Sequence, residues 1–295
     1  MSTPTIGFIG LGLMGGAMVG RLQDKGYALT VIANRTRTYV DAAVARGAAE
    51  VTTAKAVAEA SDIVMLCMDT SDNVEARMRG DEGVIAGLKP GAVVIDFGTS
   101  LPGSTKALGA EVAQAGGTLL DCPIGRTPMH AKDGLLNLMG SGDKAAFDQV
   151  KPVLDDLGEN VFHLGDLGTG HTIKLINNFY AQACANAMAE SFAIADVMGV
   201  ERQAVYDVMS AGPLKSGMMD FITAYALEGN DANLAFSIKN AAKDVGYYAQ
   251  MCTDAGVKSM MSGSTLDSLH ASIDAGRAEE FVPHQVDFFA DQFKG

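Results

Sequence analysis

A glycine-rich turn between an apolar run and a helical stretch constrains the fold of this sequence more than any other feature. The run at 5–9 ends in the turn, and a helical pattern follows over about 14–25. The turn consists of Gly10, Leu11, Gly12, Leu13, Met14 and Gly15. Between a strand and a helix, the GxGxxG pattern predicts a turn whose backbone N–H groups bind a pyrophosphate, together with the positive end of the helix that follows. A glycine-rich turn in an unrelated α/β protein is the alternative.

Strand-like and helix-like segments alternate through the first half of the chain. Short apolar runs predict strands at 5–9, 28–33, 63–68, 92–96, 118–122 and 135–140. Helical patterns lie between them at 14–25, 38–46, 71–79 and 104–115. This alternation predicts βαβ units, a parallel sheet and right-handed crossovers.

The pattern changes near residue 165. Residues 172–198 lack Gly and Pro, and they predict a helix of about 40 Å. Further helical segments follow at 202–211, 216–226, 235–255, 263–275 and 284–293. The sequence therefore predicts an α/β protein: a Rossmann-type doubly wound domain over 1–165 that binds a dinucleotide, a long connecting helix, and an all-α domain over 166–295, to which the family resemblance given below assigns substrate binding and oligomerisation.

Composition excludes several classes of partner. The 295 residues contain 22 Lys+Arg and 35 Asp+Glu, a net charge of −13, so a nucleic-acid partner is not expected. The four cysteines form no CxxC pair, which argues against disulfides and zinc. We see no signal peptide and no run of about 18 apolar residues. We therefore expect a cytoplasmic protein without a membrane partner.

The end of the second predicted strand indicates which cofactor binds. NAD sites usually carry a carboxylate there, for the ribose 2′-hydroxyl. Here the sequence has Asn34, Arg35, Thr36 and Arg37 instead, and guanidinium groups suit a 2′-phosphate. The residues favour NADP(H), with NAD(H) possible, and Asn34, Arg35 and Thr36 as contacts. The alternative is a solvated helix start with an exposed Arg35.

The start of the long helix carries a candidate proton donor. Lys174 and Asn178 are four residues apart and so share a helix face. A protonated amine can donate to the alkoxide that forms when hydride reaches a carbonyl. The amide can orient that amine or hold an anionic substrate group. An ordinary surface lysine beside an amide is the alternative.

Taken together, these motifs resemble those of the β-hydroxyacid dehydrogenase family, over nearly the whole chain. Residues 6–15 are similar to its dinucleotide signature, 96–100 to its second motif, 168–178 to its catalytic G-x-G-x-x-x-K-x-x-N-N motif, and 243–244 to its K-D pair. The resemblance implies Lys174 as the catalytic proton donor and Asn178 as a substrate ligand. It further implies cofactor contacts at Met68, Thr99 and Lys243, and a homodimer or homotetramer.

One motif departs from the family pattern. Where the family usually reads D-A-P-V-S-G-G, residues 121–127 read DCPIGRT. Gly125, Arg126 and Thr127 are the predicted substrate contacts there, which places a guanidinium in the anion site. The variant is similar to that of sulfolactaldehyde reductases and suggests a sulfonate. Alternatively, Arg126 pairs with an acidic neighbour while a carboxylate still binds.

We therefore expect an NAD(P)-dependent oxidoreductase that interconverts a short 3-hydroxy acid and its aldehyde or 3-oxo acid. Its small anionic substrate is best matched by 3-sulfolactaldehyde. Alternatives within the class are succinic or tartronate semialdehyde reductases and 3-hydroxyisobutyrate dehydrogenase. Alternatives outside it are an imine reductase and a non-catalytic dinucleotide-binding protein. No metal is expected, since Lys174 supplies the electrophile.

Overall fold

The computed structural model describes residues 3–34 and 37–294. Its contacts divide the chain into two compact units, Met1–Lys174 and Leu175–Gly295. Of the described helices, none combines the length and the apolar character needed to cross a bilayer.

The first unit is built around a parallel sheet. Its strands are β1 (Ile6–Ile9), β2 (Leu29–Ile32), β3 (Ala49–Val51), β4 (Ile63–Leu66), β5 (Val93–Asp96) and β6 (Thr118–Asp121), in the order β3-β2-β1-β4-β5-β6. All five neighbouring pairs are parallel. Helices on both faces are α1 (Leu13–Asp24), α2 (Thr38–Ala45), α3 (Ala54–Glu59), α4 (Ser71–Met78) and α5 (Pro102–Gln114). The predicted doubly wound fold is confirmed.

The central strands are apolar because both sides of the sheet are covered. All four residues of β4 are buried. Ile63 and Met65 belong to the core on one side of the sheet, whereas Val64 and Leu66 belong to the core on the other. Successive strand residues point to opposite faces, so a continuous apolar run is what a strand covered on both faces requires.

A second, three-stranded sheet completes this unit, and the sequence did not predict it. It contains β7 (Ile124–Gly125), β8 (Leu136–Gly140) and β9 (Gly158–His163), with α6 (Pro128–Asp133) and α7 (Lys144–Leu157) between them. The run predicted at 135–140 is a strand, but it lies in this sheet and pairs antiparallel with β7 and parallel with β9. Its assignment to the parallel sheet was wrong, because the chain turns away after β6.

The long helix α8 (Thr169–Val197) has 29 residues and begins three residues before the predicted start. A buried carboxylate accounts for this early start. Asp121 Oδ1 accepts from Gly168 N at 2.7 Å, and its Oδ2 accepts from His171 N at 2.8 Å. The first N–H groups of a helix lack partners within the helix. Asp121, at the end of β6, supplies them and complements the helix dipole.

Ser141 and a glycine complete this junction. Ser141 Oγ accepts from Gly170 N at 2.9 Å and donates to Asp121 Oδ1. A Cβ on Gly170 would lie 2.2 Å from the carbonyl oxygen of Met139. The glycines before Lys174 thus permit close packing at the helix start and do not interrupt the helix.

The second unit is helical, as predicted. It contains the greater part of α8, and then α9 (Arg202–Ser210), α10 (Gly217–Glu228), α11 (Ile238–Asp254), α12 (Ser262–Asp274) and α13 (Gln285–Lys294). Its apolar core includes Phe192, Ile222, Val245, Leu269 and Val286. Within the described part of this unit, the pairing of β type is a single bridge between Ser237 and Phe281.

Candidate active site

The three glycines of the turn after β1 serve different purposes. Gly10 has φ +99, and a Cβ there would lie 2.3 Å from Cys67 O. A Cβ on Gly15 would lie 2.0 Å from Gly10 O. A Cβ on Gly12, by contrast, would have no atom of the described residues within 4 Å. The packing of the chain requires the first and third glycines, while the bare Cα of Gly12 leaves room for a ligand to approach the backbone.

The start of α1 suits an anionic ligand. No side chain caps the helix at Gly12, and its first turn holds no acidic residue. Leu11 is buried in the core, whereas Leu13 is exposed and Met14 is half-buried. Backbone N–H groups and the positive end of the helix dipole therefore face the open side of the turn. This arrangement fits the pyrophosphate of a dinucleotide.

Two further predicted cofactor residues, Met68 and Thr99, lie at the same edge of the sheet. Met68 follows β4, and its sulfur would lie 2.9 Å from a Cβ on Gly10. Thr99 lies in the loop after β5 and is half-buried. Asp96 fixes this loop, because its carboxylate accepts from Gly98 N at 2.8 Å and from Ser100 Oγ at 2.7 Å. The carboxyl ends of parallel strands are where α/β sheets bind ligands.

At the end of β2 the structure describes only part of the predicted contact set. Arg35 and Thr36 lie outside the described residues. Asn34 Oδ1 accepts from Arg77 Nη2 at 2.9 Å. The Arg37 guanidinium bonds to the carboxylates of Asp41 and Glu50. The sequence analysis missed Arg77, because nothing local marks a residue that α4 brings across from 43 positions away.

Lys174 is held by the segment that follows β6. Its Nζ donates to Ile124 O at 2.8 Å, and the side chain is half-buried. Ile124 comes three residues after Asp121, which fixes the start of α8. The same short segment thus anchors both the helix and the amine that the helix carries.

A buried histidine lies beside this junction. His171 is fully buried, and its Nδ1 is 2.8 Å from Thr105 Oγ1. Its Nε2 is 3.7 Å from Asp96 Oδ2. His171 therefore lies between α5 and the carboxylate that fixes the loop after β5. Its contacts link that loop to the start of α8.

Two thiols near the strand ends are poor nucleophiles. Burial, followed by the charge of Asp96, raises the pKa of Cys67 to about 12. Burial and the charges of Asp121 and Asp96 raise the pKa of Cys122 well above its ordinary value. The thiolate is the reactive form of cysteine, so these residues serve as apolar filling.

The segment 125–127 has an unusual backbone. Arg126 has φ +78, and it is the one non-glycine residue with positive φ in the described part of the chain. Its Nη1 donates to Leu135 O at 2.7 Å and to Glu159 Oε2 at 2.5 Å. Thr127 Oγ1 is 2.8 Å from His130 Nδ1, and Gly125 is half-buried in β7. The structure thus pairs Arg126 with an acidic neighbour, one of the two arrangements considered from the sequence.

In the second unit, Asp244 joins two of the predicted residues. Asn178 Nδ2 donates to Asp244 Oδ2 at 2.5 Å. Lys243 Nζ lies 2.8 Å from Asp244 Oδ1 and 5.1 Å from the centroid of the Tyr247 ring. Asp244 is buried, with 2% of its surface exposed. A buried carboxylate thus orients both the amide and the amine.

Comparisons with known proteins match both halves of the chain. Residues 5–165 match the family described as the NAD binding domain of 6-phosphogluconate dehydrogenase. Residues 168–280 match the family described as NAD-binding of NADP-dependent 3-hydroxyisobutyrate dehydrogenase.

Individual relatives, found by sequence and by structure, are also named as dehydrogenases and reductases of small hydroxy acids. A 2-hydroxy-3-oxopropionate reductase of Escherichia coli K12 is 31% identical over 73% of each chain. An NAD-dependent L-serine dehydrogenase of Pseudomonas aeruginosa is 29% identical over 90% of each. The fold is similar to that of 3-hydroxyisobutyrate dehydrogenase from Mycobacterium tuberculosis, solved with L-serine: the TM-score is 0.84 at 22% identity, over 97% of this chain and 99% of the other.

The chain belongs to the β-hydroxyacid dehydrogenase family, as its motifs predicted. It is an NAD(P)-dependent hydroxyacid dehydrogenase or reductase.

We expect alanine at Gly12 to weaken cofactor binding and alanine at Gly15 to destabilise the fold. Gly12→Ala adds a methyl group that would have no described protein atom within 4 Å, so we expect NADPH affinity to fall by about tenfold without a loss of stability. Gly15→Ala forces a Cβ against Gly10 O and should lower the free energy of unfolding by about 1–3 kcal/mol. Fluorescence titration and urea unfolding measure the two effects. Wild-type NADPH affinity in Gly12→Ala would contradict the assignment of the turn.

Proposed function

We propose that this protein is an NADP(H)-preferring reductase of a short anionic aldehyde. Its best-matched substrate is 3-sulfolactaldehyde, and the product is 2,3-dihydroxypropane-1-sulfonate. The observation that carries the proposal is Arg126, a guanidinium on a left-handed backbone. The corresponding family motif usually has glycine there, and glycine adopts this conformation without strain. A strained arginine beside the segment that holds Lys174 is best explained by recognition of an anion.

The bound nicotinamide cofactor would supply the hydride for the carbonyl carbon. Lys174 then donates a proton from Nζ to the carbonyl oxygen as negative charge develops on it. The hydrogen bond to Ile124 O orients the amine for this transfer. Asn178, one turn further along α8, is the proposed substrate ligand on this helix.

The anionic end of the substrate is assigned to Gly125, Arg126 and Thr127. Arginine binds oxyanions through two parallel N–H groups. Thr127 adds a hydroxyl, and Gly125, half-buried in β7, is the third proposed contact. For the cofactor, the proposed contacts are the turn 10–15, Asn34, Arg35, Thr36, Met68, Thr99 and Lys243. The absence of a carboxylate from 33–37 supports NADP(H) over NAD(H).

A carboxylate substrate is the second candidate. It is favoured by the relative from Escherichia coli, whose name describes the reduction of 2-hydroxy-3-oxopropionate. A carboxylate is also a good bidentate partner for arginine. The two candidates share the carbonyl chemistry at Lys174 and differ in the anion and in the methylene group that joins the sulfonate to the hydroxyl-bearing carbon.

Parallel assays with two aldehydes separate these candidates. We expect kcat/KM for 3-sulfolactaldehyde to exceed that for tartronate semialdehyde at least about tenfold, a difference of about 1.4 kcal/mol. Arg126→Ala should raise KM while leaving NADPH affinity unchanged, because it removes only the anion contact. Equal or better activity on the carboxylate would overturn the sulfonate assignment. A parallel loss of NADPH binding in Arg126→Ala would overturn the role of Arg126.

Replacement of Lys174 tests the reaction class. Lys174→Ala should lower kcat about 10²–10⁴-fold, the usual contribution of a general acid, and retain NADPH affinity. Lys144→Ala, at an exposed lysine paired with Asp148, is the matched control. Full turnover without Lys174, or turnover of a cyclic imine by the wild type in preference to the aldehydes, would favour a different chemistry on this fold.

Two arginines allow a controlled test of cofactor preference. Arg35→Ala should reduce the preference for NADPH over NADH by about 1–3 kcal/mol, the contribution of a charged hydrogen bond. Arg37→Ala is the control, since carboxylates already bind that guanidinium. Steady-state kinetics with both cofactors give the ratio. If the ratio is unchanged in Arg35→Ala, the site does not read the 2′-phosphate through Arg35.

A further inference from the structure

A bulge interrupts the pairing of β8 with β9. Leu136 pairs with Gly158, but the next residue, Asn137, pairs with Asn160. Glu159 is therefore the extra residue of β9. Bulges leave one residue outside the ladder and redirect its side chain, and they are frequent near active sites. Here the redirected side chain is a carboxylate.

An unusual backbone conformation, at Arg126, lies within hydrogen-bond distance of this bulge. Arg126 follows β7, on the other side of β8, and has φ +78. Such a backbone is uncommon for any residue with a side chain. Glu159 Oε2 accepts from Arg126 Nη1 at 2.5 Å. The ion pair thus joins a bulge in β9 to a residue of unusual backbone just after β7, and these two strands do not pair with each other.

Among the residues that the structure describes, the hydrogen bonds of Arg126 leave one edge of its guanidinium unused. Nη1 donates both to Glu159 and, at 2.7 Å, to Leu135 O. Neither bond involves Nε or Nη2. Two N–H groups on one edge are what a carboxylate or a sulfonate requires for bidentate binding. A guanidinium held by one nitrogen in this way presents its other edge in a fixed orientation.

The negative charge of Glu159 would by itself weaken the binding of an anionic substrate, since a carboxylate beside Arg126 repels a second anion. Both side chains are partly solvated, with 29% of Arg126 and 52% of Glu159 exposed. Solvent weakens the electrostatic effect of such groups. It does not remove the orienting effect of two short hydrogen bonds on a side chain with many rotamers. Orientation is therefore the larger effect.

We propose that Glu159 is a positioning residue for substrate recognition. Together with Leu135 O it fixes Nη1 of Arg126, so that the Nε–Nη2 edge binds the anionic group of the aldehyde. This inference rests on the proposed function of Arg126 as the anion contact. It adds Glu159, 33 positions away in sequence, as a determinant of substrate specificity.

Two substitutions at Glu159 separate orientation from charge. Glu159→Ala removes the acceptor and should raise KM for 3-sulfolactaldehyde about fivefold, equivalent to roughly 1 kcal/mol, with kcat and NADPH affinity unchanged. Glu159→Gln keeps an acceptor without the charge, so KM should stay at or below the wild-type value. Asp155→Ala, which removes an exposed carboxylate paired with Lys151, is the matched control and should behave as wild type. With glyceraldehyde, which lacks the anion, Glu159→Ala should match the wild type.

The other outcomes overturn the inference in distinguishable ways. A fall in KM for both Glu159 variants would mean that Glu159 competes with the substrate. A KM in Glu159→Ala equal to that of Asp155→Ala, alongside a raised KM in Arg126→Ala, would remove Glu159 and leave the proposed function standing. An unchanged KM in Arg126→Ala as well would overturn the proposed function itself. Thermal unfolding of each variant confirms that the compared proteins are folded.

Discussion

The buried carboxylate of Asp121 is the interaction on which the rest of the site depends. A charge without solvent is costly unless several donors surround it. Asp121 is fully buried and accepts from Gly168 N, His171 N and Ser141 Oγ. These donors are satisfied only when the start of α8 lies against the end of β6. The cost of leaving the carboxylate unpaired therefore fixes the helix start, and with it the position of Lys174.

The same junction also holds the proposed proton donor in place. Lys174 is one turn into α8 and bonds to Ile124 O, three residues beyond Asp121. The amine and its acceptor are thus tied to a single buried anchor, one through the helix and the other through the chain. In the proposed reaction, preorganisation of this kind would lower the reorganisation needed as charge develops on the substrate oxygen.

Much of the fold could be predicted, because covered strands and long helices leave strong patterns. The runs at β1, β4 and β5 are continuous and apolar, and α8 is free of proline. β3, with the sequence Ala-Glu-Val, carries no such signal, since it lies at the sheet edge and is largely exposed. Helix α7 contains Pro152, which conceals an otherwise regular spacing of buried residues.

The residues of the candidate site likewise include some that the sequence could predict and others that it could not. Motif spacing was enough to predict the turn after β1 and to propose Lys174 and Asn178, because these patterns are local in sequence. The partners that orient the functional groups could not be identified so. Glu159 reaches Arg126 only through the register of β9, and Arg77 reaches Asn34 only through the placement of α4. Such partners follow from tertiary structure and have no local signature.

The seven residues from Asp121 to Thr127 have a consequence for how new specificities arise. Their first residue anchors the start of α8, the fourth accepts a hydrogen bond from Lys174, and the last three are the proposed contacts for the anion. Anchoring and recognition thus occupy opposite ends of one short segment. Evolution can exchange residues at its far end, and so change the metabolite that is accepted, while the inherited reaction geometry is preserved. One ancestral catalyst can in this way give rise to enzymes of different metabolic routes.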